Sequence, residues 1–342
     1  MDWKSVRLEP ANIVLASPGA TQRYLVTGLN GADLEDDLTA SPACMVTSSR
    51  PDVVAVDREH GLLVAKSPGQ ADIKVVWGQV THVSMVRVEN RPAEMTVNFS
   101  PGIISILTIK GCNGSGCHGS PAGQAGFKLS LFGYDIQADR EMIVTAGNGR
   151  RVNLQDPEQS LILRKPSFAV PHGGGRVLPK DSDEYRTILD WLKQGAKLDS
   201  GGAQLTRLEL YPAETILQQG RAQRLVAIGR LSDGTTRDMT KEVRYVSGDE
   251  ALAKVATDGM VTATARGLTT VMARGMGRVA TVQVGVVTTP QWQRAPVTAA
   301  NFIDELAGDK LYRLQMTPAP LSSDREFIRR VYLDTIGLLP TV

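Results

Sequence analysis

Apolar and polar residues alternate with a period of two in short runs along roughly residues 5–90, and the same texture returns along 205–288. A period of two puts alternate side chains on one face, which predicts strands. The two stretches align element by element. Val6-Arg7-Leu8-Glu9-Pro10 opens the first and Leu208-Glu209-Leu210-Tyr211-Pro212 the second. Val53 to Asp57, His60-Gly61-Leu62-Leu63-Val64-Ala65 and Pro68-Gly69 answer to Leu252 to Ala256, Asp258-Gly259-Met260-Val261-Thr262-Ala263 and Arg266-Gly267. The closing strands are Ile73 to Trp77 with Val83 to Val88, and Thr269 to Ala273 with Val279 to Val286. Short strands broken by glycine turns about every ten residues predict a small antiparallel sandwich, here repeated once.

Between the copies, along about 96–200, the pattern changes to glycine-rich loops and short helical stretches. Tyr185, Ile188, Leu189 and Leu192 fall on one face of a predicted helix that Ser182 or Asp181 caps and Gly195 ends. After Pro296, Phe302, Ile303, Leu306, Leu311 and Leu314, then Phe327, Ile328, Val331 and Tyr332, recur at helical spacing and predict two short amphipathic helices.

A chain of 342 residues is long enough for several domains, and 38 basic against 36 acidic residues leave a formal charge of +2. So small a net charge gives no field to draw nucleic acid or an anionic membrane surface, and no apolar run is long enough to span a bilayer. The start, Met1-Asp2-Trp3-Lys4, lacks the apolar core of an export signal, and Gly337 to Val342 closes no element. The expectation is a piece of a longer, exported protein.

Three cysteines are too few and too unevenly spaced for a disulfide framework. Cys112-Asn113-Gly114-Ser115-Gly116-Cys117-His118 instead resembles the haem attachment motif C-x-x-C-H with a spacer of four, where two thiols hold the haem vinyl carbons and the histidine binds iron. Asn113 to Gly116 are small enough to loop out while both sulfurs reach one ring. Two other readings stay open: a zinc site, for which the rest of this region offers only His172 and no further cysteine, and a disulfide or redox dithiol. Cys44, His60 and His82 read as incidental. Arg150 and Arg151 can fork onto the haem propionates or lie on a solvated turn, and Phe127, Leu129, Leu131 and Trp191 can pack on the ring or in the core.

Beyond the cysteines, Gly126 to Asp135, Gly149-Arg150-Arg151, Asp156 to Leu161, Pro171-His172-Gly173-Gly174-Gly175 and Tyr185 to Ala196 stand in the order of the planctomycete cytochrome C-like domain, which this region resembles over about 90 residues. The flanking repeats are similar to bacterial Ig-like domains of group 2. Residues 302–341 resemble the start of an uncharacterised planctomycete cytochrome-associated domain. The resemblance implies one covalent haem c, with His118 as proximal iron ligand and a sixth ligand from the loop before the last helix. A methionine is usual there; this chain has His172, with Met142 as the fallback.

The fold expected is mainly β and multidomain: Ig-like sandwiches at 5–92 and 205–288 flank a small, mostly α haem domain at 96–200, and a truncated helical segment follows at 297–342. The residues given read as an electron carrier of the periplasm or cell surface rather than an enzyme, served by an unidentified redox partner. The alternatives are a surface adhesion or scaffold protein whose Ig-like modules touch other surfaces or carbohydrate, and the electron-supplying front part of a larger oxidoreductase or hydrolase.

Overall fold

The computed structural model describes residues 3–30, 35–91, 97–198, 203–288 and 299–341, in two units, 1–290 and 291–342. The borders expected at 92, 96, 200 and 297, and Pro296, lie outside the described residues.

Ten strands build the first module: β1 Trp3–Glu9, β2 Ile13–Leu15, β3 Thr21–Arg23, β4 Leu25–Asn30, β5 Glu35–Asp37, β6 Met45–Ser48, β7 Val54–Asp57, β8 Leu62–Ala65, β9 Gly69–Trp77 and β10 Val80–Val88. They form sheets ordered β1-β4-β5, β2-β10-β9-β6 and β3-β8-β7. The alternation in the sequence is the cause. In β9, Ala71, Ile73 and Val75 are buried while Gln70, Asp72 and Lys74 face out, because successive strand side chains point to opposite faces.

Four helices follow: α1 Ser105–Ile109, which continues a π-helical turn at Phe99–Ile104, then α2 Ile136–Val144, α3 Leu161–Arg164 and α4 Asp183–Lys193. The second module then repeats the first strand for strand: β11 Leu205–Tyr211, β12 Glu214–Gln218, β13 Ala222–Arg224, β14 Val226–Leu231, β15 Thr236–Asp238, β16 Arg244–Ser247, β17 Ala253–Val255, β18 Met260–Ala263, β19 Gly267–Gly275 and β20 Arg278–Val287. Its sheets are β11-β14-β15, β12-β20-β19-β16 and β13-β18-β17, the same order with ten added to every number. Even the close approaches recur. A Cβ on Gly28 would lie 2.5 Å from Leu38, and one on Gly229 would lie 2.7 Å from Leu205 and from the Met239 sulfur. Glycine at the middle of β4 and β14 lets the opposite side chains lie flat on the strand.

The two modules touch through reciprocal contacts. Asp238 Oδ2 accepts from the backbone N–H of Arg23 (2.9 Å) and from its guanidinium (3.1 Å). Asp37, in the same position on the other module, accepts from the backbone N–H of Arg224 (3.2 Å). Each aspartate turns its second oxygen to its own module, to the N–H of Thr39 or Thr240. Leu25, Val226 and Ile228, all fully buried, form the small apolar cluster beside these bonds.

The cores are divided unevenly. The first module has its own apolar core, whereas the core of the helical insert runs without a break into that of the second module. The β19–β20 turn reaches the insert: Gly277 N–H donates to the Phe132 carbonyl (2.9 Å), and the Arg274 guanidinium lies 5.1 Å from the Phe132 ring centre. The insert is thus built onto the second module, which separate-domain reasoning from the sequence did not foresee.

In the second unit, Asn301 caps α5 (Phe302–Arg313), a capping box of Ser323 and Glu326 starts α6 (Asp324–Ile336), and Gly337 ends it with φ of 71°. Phe302, Ile303, Leu306, Phe327 and Ile328 are exposed. Among the described residues no helix is long and apolar enough to cross a membrane.

Candidate functional site

Helix α1 carries the cysteine loop at its C-terminal end. Cys112 N–H donates to the Leu107 carbonyl (2.8 Å), and Lys110 pairs with Glu184 of α4 at 2.8 Å. The loop then winds back on itself: Cys117 N–H reaches the Gly114 carbonyl (3.0 Å) and His118 N–H the Cys112 carbonyl (2.9 Å). Only Ser115 and Gly116 of the spacer are exposed. Asn113 is fully buried with its amide on Thr108 Oγ1 (2.9 Å), so the spacer loops out by half rather than whole. A Cβ on Gly119 would lie 2.1 Å from the Asn113 carbonyl oxygen, so a residue with no side chain is required directly after His118.

Cys112 and Cys117 are both free thiols. Burial pushes the Cys112 thiol up to about 11, and the neighbouring Cys117 adds to the shift, so Cys112 stays protonated at neutral pH.

His118 donates its Nδ1–H to the Phe127 carbonyl (2.9 Å), and its ring packs on the Phe127 ring at 4.5 Å. His172 bonds through Nδ1 to the Gly175 carbonyl (3.0 Å). The two imidazole rings lie near-parallel, with centroids 6.4 Å apart and planes 12° apart. A carbonyl at Nδ1 makes that nitrogen the N–H and leaves Nε2 as the lone-pair nitrogen, the arrangement second-shell carbonyls impose on metal-binding histidines. Burial, then the nearby His172, Arg151 and Lys165, hold the His118 pKa below its usual value, which favours the neutral, ligating ring. A Cβ on Gly174 would stand 3.0 Å from His172 Cε1, so the glycine run after His172 makes room for the ring.

The other expected site residues fall elsewhere. Met142 lies on α2, and its carbonyl accepts from Arg151 (2.9 Å); the residue whose ring lies near-parallel to that of His118 is His172. Arg151 is buried, and three of its N–H groups go to the carbonyls of Met142 (2.9 Å), Ala146 (2.9 Å) and Gly126 (2.8 Å). Its guanidinium is committed to these backbone carbonyls. Arg150 is exposed, with one long contact to the Ala125 carbonyl at 3.5 Å. Phe127 is the aromatic residue at the histidines. Leu129 and Trp191 are core residues, Trp191 with its indole N–H on the Lys197 carbonyl (2.9 Å), and Leu131 is exposed. His60 pairs with Asp57, His82 with Ser84, and Cys44 is buried in the first core.

Arg244, from β16 of the second module, was not singled out by sequence: its guanidinium lies against Gly111 and Gly114 of the cysteine loop. No local pattern marks it, because the contact joins residues more than a hundred positions apart. Among the described residues, no three His, Cys, Asp or Glu side chains gather closely enough to hold a bare metal ion, as a zinc site would need.

Comparison with known proteins adds the following. Residues 204–274 match the family bacterial Ig-like domain (group 2). Structures similar at low identity include the surface layer protein SbsC, domains 1–6 (12% identity, 87% of this chain, 30% of that one, TM-score 0.23). Others are the S-layer protein SbsC, domains 5–6 (10%, 84% and 99%, TM-score 0.35), and human protocadherin-24 EC1-2 (10%, 84% and 100%, TM-score 0.19). The chain thus spans 30% of the length of the larger SbsC structure. No curated protein matches this chain.

Proposed function

We propose that the insert holds one haem c, attached through Cys112 and Cys117 and ligated by His118 and His172, and that the protein carries electrons. The observation that supports this reading is the closeness of the two candidate ligands, His118 and His172. Their rings lie near-parallel with centroids 6.4 Å apart, and both Nδ1 atoms are turned to carbonyls, which would leave both Nε2 atoms for a metal.

Cys112 and Cys117 would each add S–H across one vinyl group, sulfur to one carbon and hydrogen to the other, with no net oxidation. The Nδ1 atoms of His118 and His172 on carbonyls would leave their Nε2 atoms for the metal, and the carbonyl partners hold the ring planes. Phe127 shields one side of His118 from water. A haem iron bound here would supply one-electron transfer at a lower potential than with a His/Met pair.

Pyridine haemochrome spectra and a haem-stained denaturing gel, on protein exported in a host with haem-attachment machinery, test the proposal. Covalent haem in the wild type and none in a Cys112→Ala, Cys117→Ala double variant is the expected result. A wild type without haem overturns it.

A second reading is a surface scaffold built on the Ig-like modules, with the insert as a structural part. The family match at 204–274 and the reciprocal Asp37 and Asp238 contacts favour it. In either reading the protein would work at the cell surface or in the periplasm; the Ig-like family match at 204–274 supports a surface protein. A redox partner belongs to the first reading; contacts with other surfaces or carbohydrate belong to the second.

A further inference from the structure

We infer that Arg151 is the positioning residue of His118, acting through Phe127; this rests on the haem reading only for its consequence, since the geometry belongs to the chain alone. The Arg151 guanidinium sits at the end of α2, where it takes the Met142 and Ala146 carbonyls. The last carbonyls of a helix have no partner within it, and a cation there answers both the orphan acceptors and the helix dipole. The other arm of the fork takes the Gly126 carbonyl at 2.8 Å, and the guanidinium carbon lies 4.7 Å from the centre of the Phe127 ring.

Arg151 therefore grips both the backbone before Phe127 and the Phe127 ring. Phe127 in turn grips His118 twice, by its carbonyl at Nδ1 (2.9 Å) and by its ring at 4.5 Å. A third bond, from the Leu129 N–H to the His118 carbonyl (2.8 Å), closes the same strip. The turn before Phe127, with Gly123 at φ of 65° and Gly126 at φ of 72°, is closed from within by the two backbone bonds between Gln124 and Phe127 (2.9 and 3.0 Å), and Arg151 adds a hold from outside on Gly126 and on the Phe127 ring. Arginine is required for this task. Lysine carries the charge but offers no planar fork to serve carbonyls on two sides and no plane to cover a ring.

The consequence is a fixed tautomer and ring plane at His118. With Arg151 in place the proton sits on Nδ1 and the lone pair on Nε2. Without it the Phe127 ring and the Gly126 backbone lose their outside hold, the Gln124 N–H alone keeps the Phe127 carbonyl, and His118 samples both tautomers.

The test is nitrogen-15 NMR of the histidine side chains in the full, haem-free chain, comparing wild type, Arg151→Lys, Phe127→Leu and Arg150→Gln. The Trp191 indole resonance reports that the insert core is intact. The expected result is a His118 Nδ1–H tautomer in wild type and in Arg150→Gln, loss of that single form in Arg151→Lys with Trp191 unchanged, and a smaller change in Phe127→Leu. A single Nδ1–H tautomer in a folded Arg151→Lys chain overturns the inference. So does collapse of the Trp191 signal in Arg151→Lys, which would assign the residue to stability alone. Neither outcome depends on haem attachment, so failure here is separate from failure of the proposed function.

Discussion

His118 and His172 stand 54 positions apart in the chain, and their rings lie near-parallel with centroids 6.4 Å apart and planes 12° apart. Each ring is held by Nδ1 on a backbone carbonyl, Phe127 for one and Gly175 for the other. Neither carbonyl is an accident of a loop. Phe127 is pinned by Arg151, and Gly175 closes a turn onto the His172 carbonyl at 3.0 Å.

In the proposed haem reading, replacing His172 is expected to act on the iron rather than the fold, because His172 is in a loop and outside the apolar core. In His172→Met, covalent haem is retained and the midpoint potential rises, since a thioether favours the reduced metal. Spectroelectrochemical titration reads the change. An unchanged potential would remove His172 from the ligand set.

Gly174→Ala adds a methyl group 3.0 Å from His172 Cε1 and displaces that ring. The expected outcome is normal haem attachment with a weakened sixth ligand, seen as a mixed-spin ferric spectrum. The same substitution at Gly173, where a Cβ meets nothing within 4 Å, leaves the spectrum as in wild type.

The reciprocal aspartates should be unequal in effect. Asp238 serves both the backbone and the guanidinium of Arg23, and Asp37 serves only the backbone of Arg224. Asp238→Ala is expected to cost about 1–3 kcal/mol, as for a buried donor left unpaired, and Asp37→Ala less. Urea unfolding checks the order. Equal or negligible losses would mean the contacts do not hold the modules together.

Acid should loosen the link between the cysteine loop and α4. The hydrogen bond from Lys110 holds the Glu184 carboxyl below the usual carboxylate range. A depressed folded pKa stabilises above the unfolded value, here near 4.5, and the contribution is lost as pH falls through the folded value. Stability against pH should therefore fall less steeply below about pH 4.5 in Glu184→Gln than in wild type, with a difference under about 1 kcal/mol for so accessible a pair.

The repeat was legible because two physical signals agree in both copies: alternation gives the strands, and glycines such as Gly61 and Gly259, at φ of 64° and 85°, mark the turns. His172 was a candidate only through the family resemblance, from its place in the loop before the last helix. What could not be read is whatever depends on distant backbone. Arg151 looks like a free arginine until the carbonyls of Gly126, Met142 and Ala146 are brought around it. Arg244 at the cysteine loop, and Arg23 with Asp238, join residues separated by more than a hundred positions, for which one sequence carries no periodic signal. The shared core of insert and second module is hidden for the same reason.

The most direct measurement is the ferric electron paramagnetic resonance spectrum of the exported chain beside that of His172→Ala. The account predicts a low-spin signal from two nearly parallel imidazoles in the wild type, replaced by a high-spin signal in the variant with haem still attached. A low-spin signal unchanged in His172→Ala, or a wild type with no haem signal, would contradict it.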